Sequence, residues 1–395
     1  MKIIGVLAFV IALLLSVMIH EFGHYITAKR YGMRVSEFFL GFGKRIWSFT
    51  RGETEFGIKA IPAGGYCRIE GMSATDEMPP GEESRAFFKA SSGRKLIVLG
   101  AGSFLHFVLG FIILLIIFAG IGTSKPTTTI SEISACVPRI NAACTESDPK
   151  SPALLSGLQA GDVITSLNGV PVNNWAKDVE IIRNSAGKEI LIEIERNGQV
   201  QTISIIAATR VVDGKEYGFL GIVNGYELVR DAPFTSIKNS AIVSWDFISG
   251  AVKAIISLPS KIPALWGATV SGADRDPNGL VGIVGVAQVT GQAASSEGLS
   301  TSERIQTFLL IIASLNFFVG VFNLLPILPL DGGHMAVAIA DEVRAIVARI
   351  RGRARPEGIN VNKLAPFTMV VFVLLAALTV LLLAADIINP IQVNF

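Results

Sequence analysis

Long apolar runs alternate with polar stretches along this chain. Four of the runs, at about 3–27, 96–122, 305–327 and 366–388, reach the ~20 residues that a membrane-spanning helix needs. Between the first two, the pattern changes to short alternation. Ile46-Trp47-Ser48-Phe49, Arg51-Gly52-Glu53 and Glu55-Phe56-Gly57-Ile58 predict a β-hairpin, and Ile61-Pro62-Ala63-Gly64-Gly65-Tyr66 continues it with a flexible edge. Non-helical backbone at membrane depth must pack on protein or line a cavity. The region therefore reads as a re-entrant or interfacial sheet whose edge can pair with an extended substrate. The other reading is a cytoplasmic hairpin without a substrate role. Residues 73–93, with Pro79-Pro80-Gly81, read as a flexible connector.

The longest polar stretch separates the second and third runs. Residues 123–150 read as a linker. Residues 151–208 read as a compact module. Val163 to Gly169 is a strand ending in a turn, Trp175 to Asn184 is helical, and strands 189–196 and 200–206 join at Asn197-Gly198, a strong hairpin signal. Within 209–302, positions 233–257 have helical periodicity. Lys238, Asp246 and Lys253 argue against a fifth span, so the helix is expected on the membrane surface or on the 151–208 module, ending at Pro259 and Pro263. The glycines of 279–290 suggest a close-packed loop before the third run.

Half of the residues are hydrophobic, and net charge is only +2, so no basic field argues for nucleic acid. Lys and Arg set orientation: twelve lie in 29–95 and six in 331–365, two loops that share a side if there are four spans. Both read as cytoplasmic. The 151–208 module and both termini are then extracytoplasmic. Long loops cross regardless of charge, so the fourteen basic residues of 123–302 do not conflict with this. Cys136 and Cys144 lie in the external region and could pair as a disulfide, or stay as two thiols; Cys67 reads as a small buried residue.

The chemistry sits inside the first apolar run. His20-Glu21-Phe22-Gly23-His24 is H-E-x-x-H, which puts two imidazoles on one helix face where both can bind one zinc. Glu21 can then act as general base on a zinc-bound water. The alternative is a signal peptide or plain anchor helix, but no small-residue cleavage site follows the run. Catalytic zinc usually has three protein ligands. Asp331, in Asn323-Leu324-Leu325-Pro326-Ile327-Leu328-Pro329-Leu330-Asp331-Gly332-Gly333-His334, is the candidate for the third; its plain alternative is a helix cap.

The two motifs together resemble the site-2 protease family of intramembrane zinc metalloproteases, and specifically its bacterial branch with four spans and a PDZ insert. Residues 151–208 resemble a bacterial PDZ domain through Gly157-Leu158-Gln159-Ala160-Gly161-Asp162 and Leu167-Asn168-Gly169. The resemblance implies a polytopic α-helical membrane protein with four transmembrane helices, a membrane-associated β-hairpin region and an extracytoplasmic α+β PDZ domain. Its parts would be 1–30 (first span), 31–95 (β region and connector), 96–122, 123–150, 151–208 (PDZ), 209–302, 303–330, 331–365 and 366–389. It implies one Zn²⁺ per chain on His20, His24 and Asp331, with Glu21 as base. Asn323 and Pro326, with Gly64, Gly65 and Tyr66 of the β region, would hold substrate. Implied partners are single-pass transmembrane proteins, such as anti-sigma factors or remnant signal peptides, cut after an earlier site-1 cut, a peptide C-terminus at the PDZ domain, and the lipid bilayer of a bacterial inner or plasma membrane.

One departure stands out. The family's second span often carries G-P-x-x-N, and this chain reads Gly102-Ser103-Phe104-Leu105-His106. His106 reads as a core histidine, and His334 as structural or supporting rather than a fourth ligand. Two rival classes remain: a non-catalytic scaffold working through the PDZ module, which predicts no bound metal, and a metal-ion carrier, which lacks a second set of intramembrane ligands.

Overall fold

The computed structural model describes the chain except residues 74, 139–143, 146, 213, 274, 277–278, 297 and 392–395, and residue 176 by its backbone alone. Its contacts divide the chain into two units, Met1–Ile121 with Asp231–Phe395, and Gly122–Arg230.

The first unit begins with α1 (Lys2–Arg30). β1 (Val35–Arg51) and β2 (Thr54–Ile69) follow, turning at Gly52-Glu53. The hairpin expected over 46–58 is present, as Trp47↔Ile58 and Arg51↔Thr54, but it is part of a longer sheet. Gly41 and Gly43 have positive φ and let β1 change direction. As a result Phe38 pairs with both Phe56 and Cys67, and residues 37–40 lie between two segments of β2. Glu53, in the turn, pairs with Lys29 and with Arg85 (2.6 and 2.7 Å), tying the turn to the end of α1 and to the connector. The Arg85 hydrogen bonds, with Lys29, hold the Glu53 carboxyl down at about 2.

α2 (Ser92–Leu115) continues into a wider π-type turn, Ile116–Ile121. It runs antiparallel to α1, since Gly23 faces Ala101 and His24 faces Val98. A Cβ on Gly23 would lie 2.6 Å from the Ala101 carbonyl, so the central glycine of H-E-F-G-H is what lets the two helices touch.

The Gly122–Arg230 unit contains β3 (Thr123–Ile133), α3 (Pro152–Leu155), β4 (Val163–Leu167), β5 (Val170–Pro171), α4 (Trp175–Arg183), β6 (Glu189–Arg196), β7 (Gln199–Ile206), β8 (Ala208–Val212), β9 (Lys215–Phe219) and β10 (Ile222–Val229). One sheet has the order β10-β3-β4-β6-β7, with β5 on β4; β8 and β9 form a separate hairpin. Alternation along β6 buries Ile190, Ile192 and Ile194 against Ile164, Leu167, Trp175 and Ile182. Asn197 and Gly198 both have positive φ between the Arg196↔Gln199 pair, the turn this dipeptide favours. Buried Asp162 receives two 2.7 Å hydrogen bonds from Arg196. The expected linker at 123–150 is not free chain, because it supplies β3, and Cys136 and Cys144 form a disulfide. The unit is thus wider than 151–208 at both ends.

The remaining helices belong to the first unit. α5 (Pro233–Val270) continues through Pro259 and Pro263, where the sequence suggested an end. It starts at the C-terminal end of α2, where Asp231 N–H donates to the Phe118 carbonyl. It is not peripheral: Ser236, Ser240 and Ser244 are buried, and Val243, Phe247 and Ile248 pack against the cluster around Phe9, Leu114 and Phe317. Serine at four-residue spacing leaves a flat seam where another helix can approach. α6 (Ile283–Ser295) then ends beside the start of α1, with Gly291 against Lys2 and Val6. α5 and α6 therefore lead out and back to the same end of the bundle. Buried Asp386 fastens them: it accepts from Arg275 (2.6 Å) and from the Gly285 N–H at the α6 start (2.7 Å).

α7 (Thr301–Asn323) runs antiparallel to α2, with Phe317 over Gly110. α8 (Asp331–Ile350) and α9 (Ala365–Ile388) complete the unit. Among the described residues five helices, α1, α2 with its π turn, α5, α7 and α9 with the turn before it, are long and apolar enough to cross a membrane; the sequence suggested four. The chain is a multi-pass membrane protein. The extra helix was discounted for Lys238, Asp246 and Lys253, yet its 18-residue apolar window still meets the hydropathy of a span.

Candidate active site

His20 and His24 are one turn apart on α1 and both are buried, only 6% exposed. The His24 Nδ1–H donates to the Val98 carbonyl at 2.8 Å. That bond fixes the proton on Nδ1 and leaves the Nε2 lone pair pointing away from α2. Gly102 is required opposite: a Cβ there would lie 2.5–2.7 Å from the His20 ring.

Asp331 comes from far along the chain by a sharp turn. α7 stops at Asn323, residues 324–330 fold back, and α8 starts with Asp331-Gly332-Gly333. A Cβ on Gly332 would meet the Leu324 carbonyl at 2.3 Å, and one on Gly333 the Leu328 nitrogen at 2.4 Å. Only glycine allows the first turn of α8 to rest on that backbone. The packing sets Asp331 Oδ2 at 3.2 Å from His20 Nε2 and 3.3 Å from His24 Nε2, which are themselves 3.1 Å apart. Three ligands ~2.0–2.1 Å from a tetrahedral zinc stand about 3.3 Å from one another. Two imidazole lone pairs and a carboxylate oxygen converging at this spacing repel unless a cation lies between them, so the donor set fits zinc. These three residues are the one such cluster among the described residues.

Beside the triangle is a cavity of about 230 Å³, lined by Val17, His20, Glu21, His106, Val319, Asn323, Pro329, Leu330 and Asp331. Glu21 faces it next to the two imidazoles. On its other side Glu21 touches the hairpin: a Cβ on Gly65 would be 3.4 Å from Glu21 Cγ.

The structure thus brings together His20, His24, Asp331, Glu21 and Asn323, with Gly65 alongside. Pro326 does not line the cavity; Pro329 does. Tyr66 is turned toward the sheet, stacked on Phe39 and Phe42 with its hydroxyl on Glu37, and Gly64 lies under Phe42. His334 is outside the three-residue cluster. His106, read as a core histidine or as one that hydrogen-bonds near the metal, is buried and bonded to Asn316, and it also lines the cavity, its ring 5.0 Å from that of His20. Asn316 and Ser16, which the sequence reading passed over, are buried behind it. The signal for both was a polar residue inside an apolar span.

The sequence pattern of peptidase family M50 matches residues 8–376. The chain is 33% identical over 409 residues to zinc metalloprotease Rip1 of Mycobacterium tuberculosis, covering 99% of both chains. It is likewise 33% identical over 408 residues to zinc metalloprotease Rip1 of Mycolicibacterium smegmatis, covering 99% of this chain and 98% of that one. To regulator of sigma-E protease RseP of Escherichia coli it is 24% identical over 426 residues, covering 85% of this chain and 90% of the other.

Proposed function

The chain belongs to peptidase family M50 and is a site-2 type zinc metalloprotease; from that premise we propose that it cuts transmembrane segments of single-pass membrane proteins within the bilayer. The observation that carries this reading is the triangle of His20 Nε2, His24 Nε2 and Asp331 Oδ2 inside an apolar helix bundle. These three would hold one zinc. His24 and His20 lie six and ten residues before Arg30, roughly 9 and 15 Å along the helix. In a hydrocarbon layer ~30 Å thick, that is the inner half.

Bound zinc supplies a Lewis acid that polarises the scissile carbonyl and lowers the pKa of a bound water. Glu21 takes the proton of the attacking water and returns it to the leaving amine. Peptide bonds in a helix are shielded by their own hydrogen bonds, so the substrate span must unwind, and its freed backbone groups then need partners. The edge of β2 near Gly65, beside Glu21, is suited to supply them by strand pairing. Asn323, which lines the cavity, is suited to donate its amide to a substrate carbonyl.

In this reading the basic segments around 31–91 and 351–364 face the cytoplasm, while the Gly122–Arg230 unit and both termini are extracytoplasmic. α5 and α6, leading out and back, keep that parity. The external unit acts as the PDZ module, filtering substrates by size or reading a terminus left by an earlier cut. Membrane-anchored anti-sigma factors and remnant signal peptides are the substrate classes that fit.

Metal analysis of detergent-purified protein tests the ligand set. Wild type should carry about one zinc per chain, and His24→Ala and Asp331→Ala should lose most of it. Full zinc in either well-folded variant would remove that residue from the set.

A further inference from the structure

His106 is buried in α2 and shares the cavity with His20, Glu21, Asn323 and Asp331. Its Nδ1 lies 2.7 Å from Asn316 Oδ1. Asn316 Nδ2 is 2.8 Å from the Ile312 carbonyl, which can only accept, and 3.1 Å from Ser16 Oγ. The carbonyl fixes which end of the Asn316 amide is the NH₂, so Oδ1 must face His106. An amide oxygen also only accepts. The proton of neutral His106 is therefore on Nδ1, and its Nε2 carries a lone pair. Three helices thus cooperate, through Ser16, Asn316 and His106, to hold one tautomer at the cavity wall. A core histidine that only fills space has no need of such a brace.

We propose that His106 is a substrate-binding residue whose Nε2 accepts a backbone N–H of the unwound substrate. The inference rests on the strand-pairing reading above. A strand paired along one edge still presents N–H and C=O groups on its other edge. At membrane depth no water satisfies them. Glu21 lines the cavity and packs against β2 at Gly65. His106 on α2 and Asn323 on α7 then offer an acceptor and a donor to the other edge.

Two substitutions separate this role from a structural one. His106→Asn keeps an atom near the Nδ1 position, facing Asn316, and loses the Nε2 end. His106→Gln keeps a polar atom near Nε2 and loses the Nδ1 contact. With a single-pass reporter in liposomes, His106→Asn should lower kcat/KM about tenfold with zinc content unchanged, while His106→Gln stays within about threefold. In the Glu21→Gln background, reporter affinity should follow the same order without any cleavage. The reverse order, Asn tolerated and Gln not, would mean that the ring serves only Asn316 and would overturn the proposal.

An ester scan of the reporter gives a test that does not depend on how the variants fold. Replacing single backbone N–H groups near the cut by ester oxygens should cost wild type about tenfold at one position besides those paired with β2. That loss should vanish in His106→Asn, because the same hydrogen bond is already gone. If every sensitive position simply adds to His106→Asn and none vanishes in it, the His106 assignment alone is overturned. No sensitive position anywhere overturns the strand-pairing reading along with it.

Discussion

The two units are held together by opposite means. In the Gly122–Arg230 unit, neighbours in sequence build much of the structure, and β3 pairs with β10 to close its two ends together. β6 meets β7 across a two-residue turn, and the alternating isoleucines of β6 supply the core. In the helical unit the decisive contacts span the chain: His106 with Asn316 across 210 positions, Asn316 with Ser16 across 300, and Asp331 with His20 and His24 across more than 300. A local fold spreads its stability over many alternating residues. A membrane bundle places a few polar groups and glycines where substitution has no substitute partner. Changes at those points should therefore cost far more than comparable changes in the β unit.

The largest effect should come from Glu21→Gln. Losing general acid–base action typically removes 10²–10⁴-fold, so cleavage should fall by at least ~10²-fold with zinc retained. A variant cutting at the normal rate would take Glu21 out of the chemistry. Next is Gly332→Ala, whose new methyl would sit 2.3 Å from backbone. Shifting Asp331 by about 1 Å should cost on the order of 10²-fold in turnover, and zinc content should fall too. Asn168→Ala in the β unit, at a positive φ, is the matching control and should leave turnover within twofold.

These contrasts also explain what could be read from the sequence. The turn at Asn197-Gly198, the strands around it and α4 follow from local chemistry and were legible. So was H-E-x-x-H, because its spacing fits one face of a single helix. The Asp331 loop was legible only as a motif; the role of Gly332 and Gly333 depends on the Leu324–Leu328 backbone beneath them. His106, Asn316 and Ser16 were not legible as a set, since each lies in an apolar run whose periodicity does not say which faces meet. The hairpin was visible but not its second pairing, which needs Gly41 and Gly43 to redirect β1. α5 was legible as a helix but not in its length, since it continues through Pro259 and Pro263 to Val270.

Smaller effects sharpen the comparison. Arg275→Met leaves buried Asp386 facing the start of α6 alone. Breaking one partner of a buried pair costs about 3–5 kcal/mol, so thermal unfolding in detergent should shift down clearly. The double variant Arg275→Met with Asp386→Leu should recover part of that loss. Equal stability of the single variant and wild type would show that the pair does not fasten α9 to α6.

The smallest effect is pH-dependent. Glu53 has its carboxyl lowered from 4.5 to about 2 by Arg85 and Lys29. A lowered folded-state pKa stabilises above the unfolded value and is lost as pH falls. Protection of the 51–54 turn from hydrogen exchange should therefore hold above about pH 4.5 and decline toward pH 2. Glu53→Gln should flatten that decline. An unchanged profile would show that the ion pairs do not order the turn.

The most direct test of the account is to map the cut. A single-pass substrate with its external domain already trimmed is reconstituted with wild-type protein, and the products are measured by mass spectrometry. The account predicts one main cut within the transmembrane segment, in its cytoplasmic half, and none with Glu21→Gln. A cut confined to the soluble flanks, or an intramembrane cut that persists in Glu21→Gln, would contradict it.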